Sequence, residues 1–215
     1  MATTTIVRPA GPEDADFLGW TILEAGRAHL PRGWYDIALG LPEAECLAAL
    51  ARLVLARTPA FWNYANFLVA DVDGRAGAAL CCFGSKSGWG QADAAMAEAM
   101  APLGWGPAEL AALWARGAYV FTCAPTTPGD VWVIENVATL PALRGRGLAG
   151  RLIEAALDKG RAAGFDVAQI SFVIGNAAAE RAYLRAGFEP DEEHRHPDFE
   201  ASAGAPGIRR FRRTL

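Results

Sequence analysis

Lysine is nearly absent: Lys86 and Lys159 are the only two, so eighteen of the twenty basic residues are arginine. That bias fits GC-rich coding as well as any function. A surplus of positive charge is also missing, since the formal net charge is −4. The chain therefore lacks the broad basic face with which proteins wrap nucleic acid, and no nucleic-acid partner is expected. Its one basic cluster, Arg209-Arg210-Phe211-Arg212-Arg213, reads as a solvated terminal strand. No apolar run exceeds six residues, the length of Ala78–Phe83, far short of a membrane span, and no membrane partner is expected. Met1-Ala2-Thr3-Thr4-Thr5 carries neither the basic region nor the apolar stretch of a secretory signal. The four cysteines, Cys46, Cys81, Cys82 and Cys123, form no C-x-x-C. Adjacent strand residues point to opposite faces, so Cys81-Cys82 suits packing rather than zinc. No metal is expected, and the setting reads as cytoplasmic.

Apolar residues are plentiful, at 52% of 215 positions, but 45 of those positions are alanine. Such a chain can bury a core, and its length admits one padded domain or two small ones.

Ile6–Pro9 reads as a short strand. Pro12-Glu13-Asp14 opens a helical stretch to about Ala28, with acids in its first turn. Pro and Gly in the aromatic segment 29–36 break it. A second helix starts at Pro42-Glu43 and ends before Pro59. Phe67–Asp71 and Ala76–Phe83 flank an Asp73-Gly74 hairpin signal. Helical pieces are expected at Ala92–Ala101 and Pro107–Ala115. A strand at Val131–Leu140, a turn at 141–143 and a helix after Gly147 follow, with Leu148, Leu152, Ala155 and Ala156 facing inward and Gly164 as the stop. Val167–Val173 is the next strand, and Ala177–Ala186 the next helix, closed by Gly187. The residues 191–198, with His194 and His196 among carboxylates, read as a solvated loop rather than a metal site. This order predicts an α/β fold around a mixed sheet.

Gly145-Arg146-Gly147-Leu148-Ala149-Gly150 matches G-x-G-x-x-G, the dinucleotide-binding fingerprint. Against that reading, four residues separate the strand from the first glycine, whereas the fingerprint turns tightly. The next strand ends in Ile174-Gly175 with no ribose-binding acid, and too few such units follow for a doubly wound sheet. A P-loop is excluded because no Gly-Lys-Ser/Thr occurs. The same residues also spell R-x-x-G-x-A from Arg144 to Ala149. One strand later, Asn176 to Phe188 spells N-x-x-A-x-x-x-Y-x-x-x-G-F. Together, and in this order, they resemble the GCN5-related N-acetyltransferase (GNAT) superfamily, most specifically over residues 131–190.

The resemblance implies a single domain spanning 1–215 with the acyl-CoA N-acyltransferase fold, a central, mostly antiparallel mixed sheet flanked by helices. It implies an acetyl-CoA-dependent N-acetyltransferase acting by direct transfer on an amine of a small molecule or peptide. The glycines would let backbone N–H groups converge on the acetyl-CoA pyrophosphate at a helix N-terminus. Gly145, Gly147, Leu148 and Ala149 would form that cradle, beside the positive charge of Arg144 and Arg146. Backbone N–H groups near Val137, Ala138 and Thr139 would polarise the thioester carbonyl. Tyr183 matches the family's general acid toward sulfur, or it is a core tyrosine. Asn176 would bond the acetyl-CoA arm, or it is a helix cap. Glu135, an acid in an apolar strand, suits a general base, or it faces solvent. His194 or His196 would border the acceptor.

The family joins its third and fourth strands by a short turn, whereas this chain inserts Gly84–Gly129. Trp34, Trp62, Trp89, Trp105 and Trp114 lie outside the signature region, either walling a pocket or filling a core of small residues. They favour a small, partly apolar amine. A Rossmann-like NAD(P)-binding oxidoreductase and a non-catalytic CoA-binding module are the alternatives, and a homodimer is left open.

Overall fold

β1 (Thr5–Pro9) leads through a short 3-10 turn at Pro12–Asp14 into α1 (Ala15–Arg27). The computed structural model describes residues 4–127 and 129–215. Residues 1–3, on which the absence of a signal was read, and Pro128 of the expected insertion lie outside it. The Asp14 carboxylate accepts the Gly11 N–H at 2.8 Å and binds Arg8, which starts the helix in place. The aromatic segment 29–36 is less broken than expected, because α2 (Trp34–Leu39) begins inside it. Asp36 accepts the Gly33 N–H at 2.8 Å and so caps this helix, an offset that composition hides.

After α3 (Glu43–Val54), β2 (Phe67–Val72) and β3 (Arg75–Gly84) form a hairpin. Its turn residues Asp73 and Gly74 both have positive φ, 51° and 81°, as the Asp-Gly signal requires. The segment expected to be an insertion carries α4 (Ser85–Gly88), α5 (Ala92–Met100), α6 (Pro107–Gly117) and a 3-10 turn at Ala118–Cys123. Then come β4 (Trp132–Thr139), α7 (Leu148–Ala162), β5 (Val167–Val173) and α8 (Ala177–Arg185). β6 (Glu189–Arg195), α9 (Pro197–Ala203) and β7 (Gly207–Thr214) complete the chain.

The seven strands form one sheet in the order β1-β2-β3-β4-β5-β7-β6. Every pairing is antiparallel except that of β4 with β5. A doubly wound parallel sheet is thereby ruled out, and the dinucleotide-binding alternative with it. One face carries α1, α2, α3, α5 and α6 over Val69, Cys81 and Val133. The other carries α7 and α8 over Leu80, Ile134 and Ile170, with Leu148, Leu152 and Ala156 pointing inward as the spacing predicts. The alanine-rich helices of the insertion extend the first core through Ala95, Met96, Met100 and Leu113. Arg116 of α6 donates to the carbonyls of Ala38 and Leu39, satisfying the end of α2.

Two expectations are corrected at the C-terminal side. Residues 191–195 are not loop: they belong to the edge strand β6. The arginine cluster is not a solvated terminal strand, since β7 lies between β5 and β6. The cause is charge pairing across the ladder, which sequence order conceals. Glu193 meets Arg209, and Arg210, only 4% exposed, meets Asp191 and Glu192 at 2.6 Å each.

Candidate functional site

The sheet opens where β4 loses its regular register. Cys81 of β3 pairs with Glu135, yet Ala79 pairs with Ala138, so β4 carries one extra residue over this step. Asn136 absorbs it with φ of 52°, a conformation asparagine tolerates better than most residues. β5 follows β4 only from Ala168 to Ile170, opposite Trp132 to Ile134. Beyond that point the two strands part, and the β5-facing backbone of Glu135–Thr139 has no strand to bond. A cleft of about 1240 Å³ fills the gap and reaches both faces of the sheet.

On the α7 face the cleft floor is Val137, Ala138 and Thr139, followed by the turn containing Arg144, Gly145 and Gly147. Gly145 and Gly147 have φ of 78° and 76°, and a Cβ on either would meet no atom within 4 Å. Their conformation therefore needs glycine, while the space beside them is open. That bare backbone at the start of a 15-residue helix is a fitting cradle for a diphosphate. Buried Leu148 and half-buried Ala149 anchor the helix start below it. Arg144 lines the cleft, but Arg146, which is exposed, does not. Asn176 caps α8 by accepting the Ala179 N–H at 3.1 Å, and it also lines the cleft.

Tyr183 comes from α8. It is 6% exposed and packs edge-on against Phe172, 5.5 Å between ring centres. Burial pushes its hydroxyl pKa up, so the phenol keeps its proton. Glu135 continues the Val131–Val133 face, toward α1 and α2. It makes no ion pair among the described residues, and desolvation pushes its carboxyl up to about 7. Tyr35 of α2 lies deep in the same core, its hydroxyl accepting the Trp62 indole N–H at 2.7 Å. A carboxyl that titrates near neutrality and a protonated phenol thus share one cleft.

The α1–α2 face supplies the rest of the cleft: Glu24, His29, Arg32, Trp34, Tyr119 and Phe199. His29, Arg32 and Tyr119 have no motif around them, and only their place in the fold brings them together. His29 Nε2 lies 3.0 Å from where a Cβ on Gly175 would stand, so the loop after α1 crosses toward the start of α8. Of the five tryptophans outside the signature region only Trp34 lines the cleft. Trp62 is buried, and Trp114 packs 5.8 Å from Trp34. The insertion reaches the cleft through its last turn, at Tyr119 and Val120. His194 and His196 do not line it, and His194 Nε2 lies 2.5 Å from the Glu192 carboxylate. Among the described residues no three His, Cys, Asp or Glu side chains group to hold a metal.

The family model described as Acetyltransferase (GNAT) family matches residues 105–188. Solved structures share the fold over nearly the whole chain. A protein described as acetyltransferase aligns with TM-score 0.68 at 15% identity, covering 98% of this chain and 99% of its own. An N-acetyltransferase from Staphylococcus aureus Mu50 gives 0.65 at 19%, covering 98% and 100%. A Drosophila melanogaster polyamine N-acetyltransferase that forms N-acetylagmatine gives 0.58 at 20%, covering 99% and 100%. No curated protein matches the sequence.

Proposed function

We propose that the chain is a member of the GNAT superfamily, whose acetyltransferase family model matches residues 105–188, and that it moves the acetyl group of acetyl-CoA directly to a primary amine of a small, partly apolar molecule or peptide. The observation that carries this reading is the bulged, unpaired stretch Glu135–Thr139. It carries Glu135 and lines the same cleft as the bare glycine turn and Tyr183.

Acetyl-CoA, when bound, supplies a thioester whose carbonyl carbon is open to attack by an amine. The Gly145–Gly147 backbone and the N-terminus of α7 hold the diphosphate, with Arg144 beside it. Backbone N–H groups at Val137–Thr139 are free of β5 and stabilise charge developing on the carbonyl oxygen. Glu135, titrating near 7, accepts the proton of the attacking amine. Tyr183 gives its hydroxyl proton to the departing sulfur. All four cysteines are buried, and burial raises the pKa of Cys46, Cys81 and Cys82. This supports transfer without an acyl-enzyme.

The test is thiol release from acetyl-CoA across a panel of primary amines, alongside thermal shifts with acetyl-CoA and NAD. The proposal expects stabilisation by acetyl-CoA only, and amine-dependent thiol release. Stabilisation without release from any amine would instead indicate a CoA-binding module.

A further inference from the structure

The acceptor half of the cleft has few acids and two donors that the protein leaves free. Three carboxylates line the whole cleft, those of Glu24, Glu135 and Glu154. Glu24 is engaged by Arg27 at 3.4 Å and Arg144 at 3.9 Å, and Glu154 by Arg213 at 3.2 Å. Glu135 is the base. No lining carboxylate is left for a second ammonium group, so a polyamine would find no partner for its far end.

The donors tell the opposite story. Arg32 lines the cleft, is exposed, and spends one N–H on the Asp36 carbonyl at 3.2 Å. Tyr119 lines the same cleft, and Leu30 and Trp34, on either side of Arg32 in the chain, pack against the cluster that holds it. The Tyr119 hydroxyl makes no hydrogen bond with a described residue, although the side chain is 8% exposed and packs 5.3 Å from Phe199. Around Tyr119 the wall is apolar, with Leu30, Phe199 and Ile208 in the same cluster. The Trp34 indole is already committed to the Gly117 carbonyl at 2.9 Å. Burial lifts the Tyr119 hydroxyl to about 12, so it stays a donor at any working pH. A guanidinium and a phenol in an apolar wall form a seat for a carboxylate.

We propose that the acceptor carries a carboxylate on an apolar frame, seated by Arg32 and the Tyr119 hydroxyl with its amine toward Glu135. This deepens, and rests on, the acetyl-transfer reading. The acceptor is then an amino acid of apolar character rather than a polyamine.

The experiment compares kcat/KM for amino acids with their decarboxylated partners: L-phenylalanine against 2-phenylethylamine, and 6-aminohexanoate against pentylamine. Agmatine serves as the dicationic control. A charge-assisted contact predicts that the better acid exceeds its partner, and agmatine, by roughly ten- to a hundredfold. In Arg32→Ala that ratio falls toward one, and in Arg32→Lys it recovers in part. A ratio at or below one in both pairs, or a preference for agmatine, overturns the proposal. A second arm needs no turnover: calorimetric titration with 3-phenylpropionate, which has the carboxylate but no amine. Binding at least tenfold tighter to the wild type than to Arg32→Ala supports the seat, and equal binding overturns it. Absence of thiol release with every amine would sink the transferase reading, while this titration still decides on the carboxylate seat.

Discussion

Glu135 and Tyr183 line one cleft from opposite faces of the same sheet. Glu135 continues the side of Val133 that packs on α1 and α3, whereas Tyr183 rests on Phe172 and the α7 side. A closed sheet would keep two such groups apart. Here β4 and β5 separate after Ile134 and Ile170, and the bulge at Asn136 follows two residues on. In the proposed transfer, this opening lets Glu135 act as proton acceptor and Tyr183 as proton donor at its two ends.

The carboxyl of Glu135 sets the first prediction. With its pKa near 7, the basic form is lost as pH falls, and kcat/KM drops about tenfold per unit below that value. Glu135→Gln lowers kcat by at least about a hundredfold and removes this acid limb. Stability moves the other way. The folded protein holds this proton up to about 7, while the unfolded chain releases it near 4.5. The stabilising contribution is therefore complete below 4.5 and is lost as pH rises through 7. The Tm advantage of Glu135→Gln over the wild type should widen between pH 5 and pH 8, as thermal melts at both values will check.

Tyr183→Phe keeps the ring that packs on Phe172 and removes only the hydroxyl. Its kcat should fall by about a hundredfold, while acetyl-CoA still raises Tm as much as in the wild type. Unchanged turnover would assign the ring to the core alone. Thiol-release kinetics and thermal shifts on one preparation separate the two roles.

Much of the frame is visible in local sequence, because local rules produce it. Asp73-Gly74 makes its hairpin, Gly164 and Gly187 end their helices with φ of 83° and 75°, and β5 spans Val167–Val173 as the pattern predicts. What stays hidden depends on partners distant in sequence. The arginines of β7 look solvated until Asp191, Glu192 and Glu193 stand across the ladder from them. His194 and His196 look like site residues, yet β6 carries His194 along the sheet edge. Arg32 and Tyr119 are 87 residues apart, so no motif can join them. The bulge at Asn136 is equally silent, since it arises from a register fixed by β3.

The glycine turn predicts a contrast between neighbours. Gly147→Ala has room for its methyl group but not the backbone freedom, since φ is 76°. It should cost about 1 kcal/mol of stability and weaken acetyl-CoA binding by tilting the N–H groups of the cradle. Arg144→Ala should weaken acetyl-CoA binding at higher KM, whereas Arg146→Ala should leave it within about twofold, because that side chain is exposed outside the cleft. Titration with acetyl-CoA across the three variants checks the order.

Arg210 predicts how the insertion is held. Its guanidinium is 4% exposed, meets Asp191 and Glu192, and donates to the Thr126 carbonyl at the end of the inserted segment. Arg210→Met preserves length and apolar contact but leaves both carboxylates without their cation. The loss should be about 3 kcal/mol, the low end for a buried pair because both carboxylates are partly exposed. Acid should narrow the gap. Glu192 is held below the usual carboxylate range, first by its bond to His194 and then by the charge of Arg210. That stabilisation is present above the ordinary carboxylate pKa and fades as pH falls through the lowered one. Urea unfolding at pH 7 and at about pH 3 should show the wild type losing its advantage over Arg210→Met at the lower pH. An equal difference at both values would mean that packing, not charge, holds the end of the insertion to the sheet.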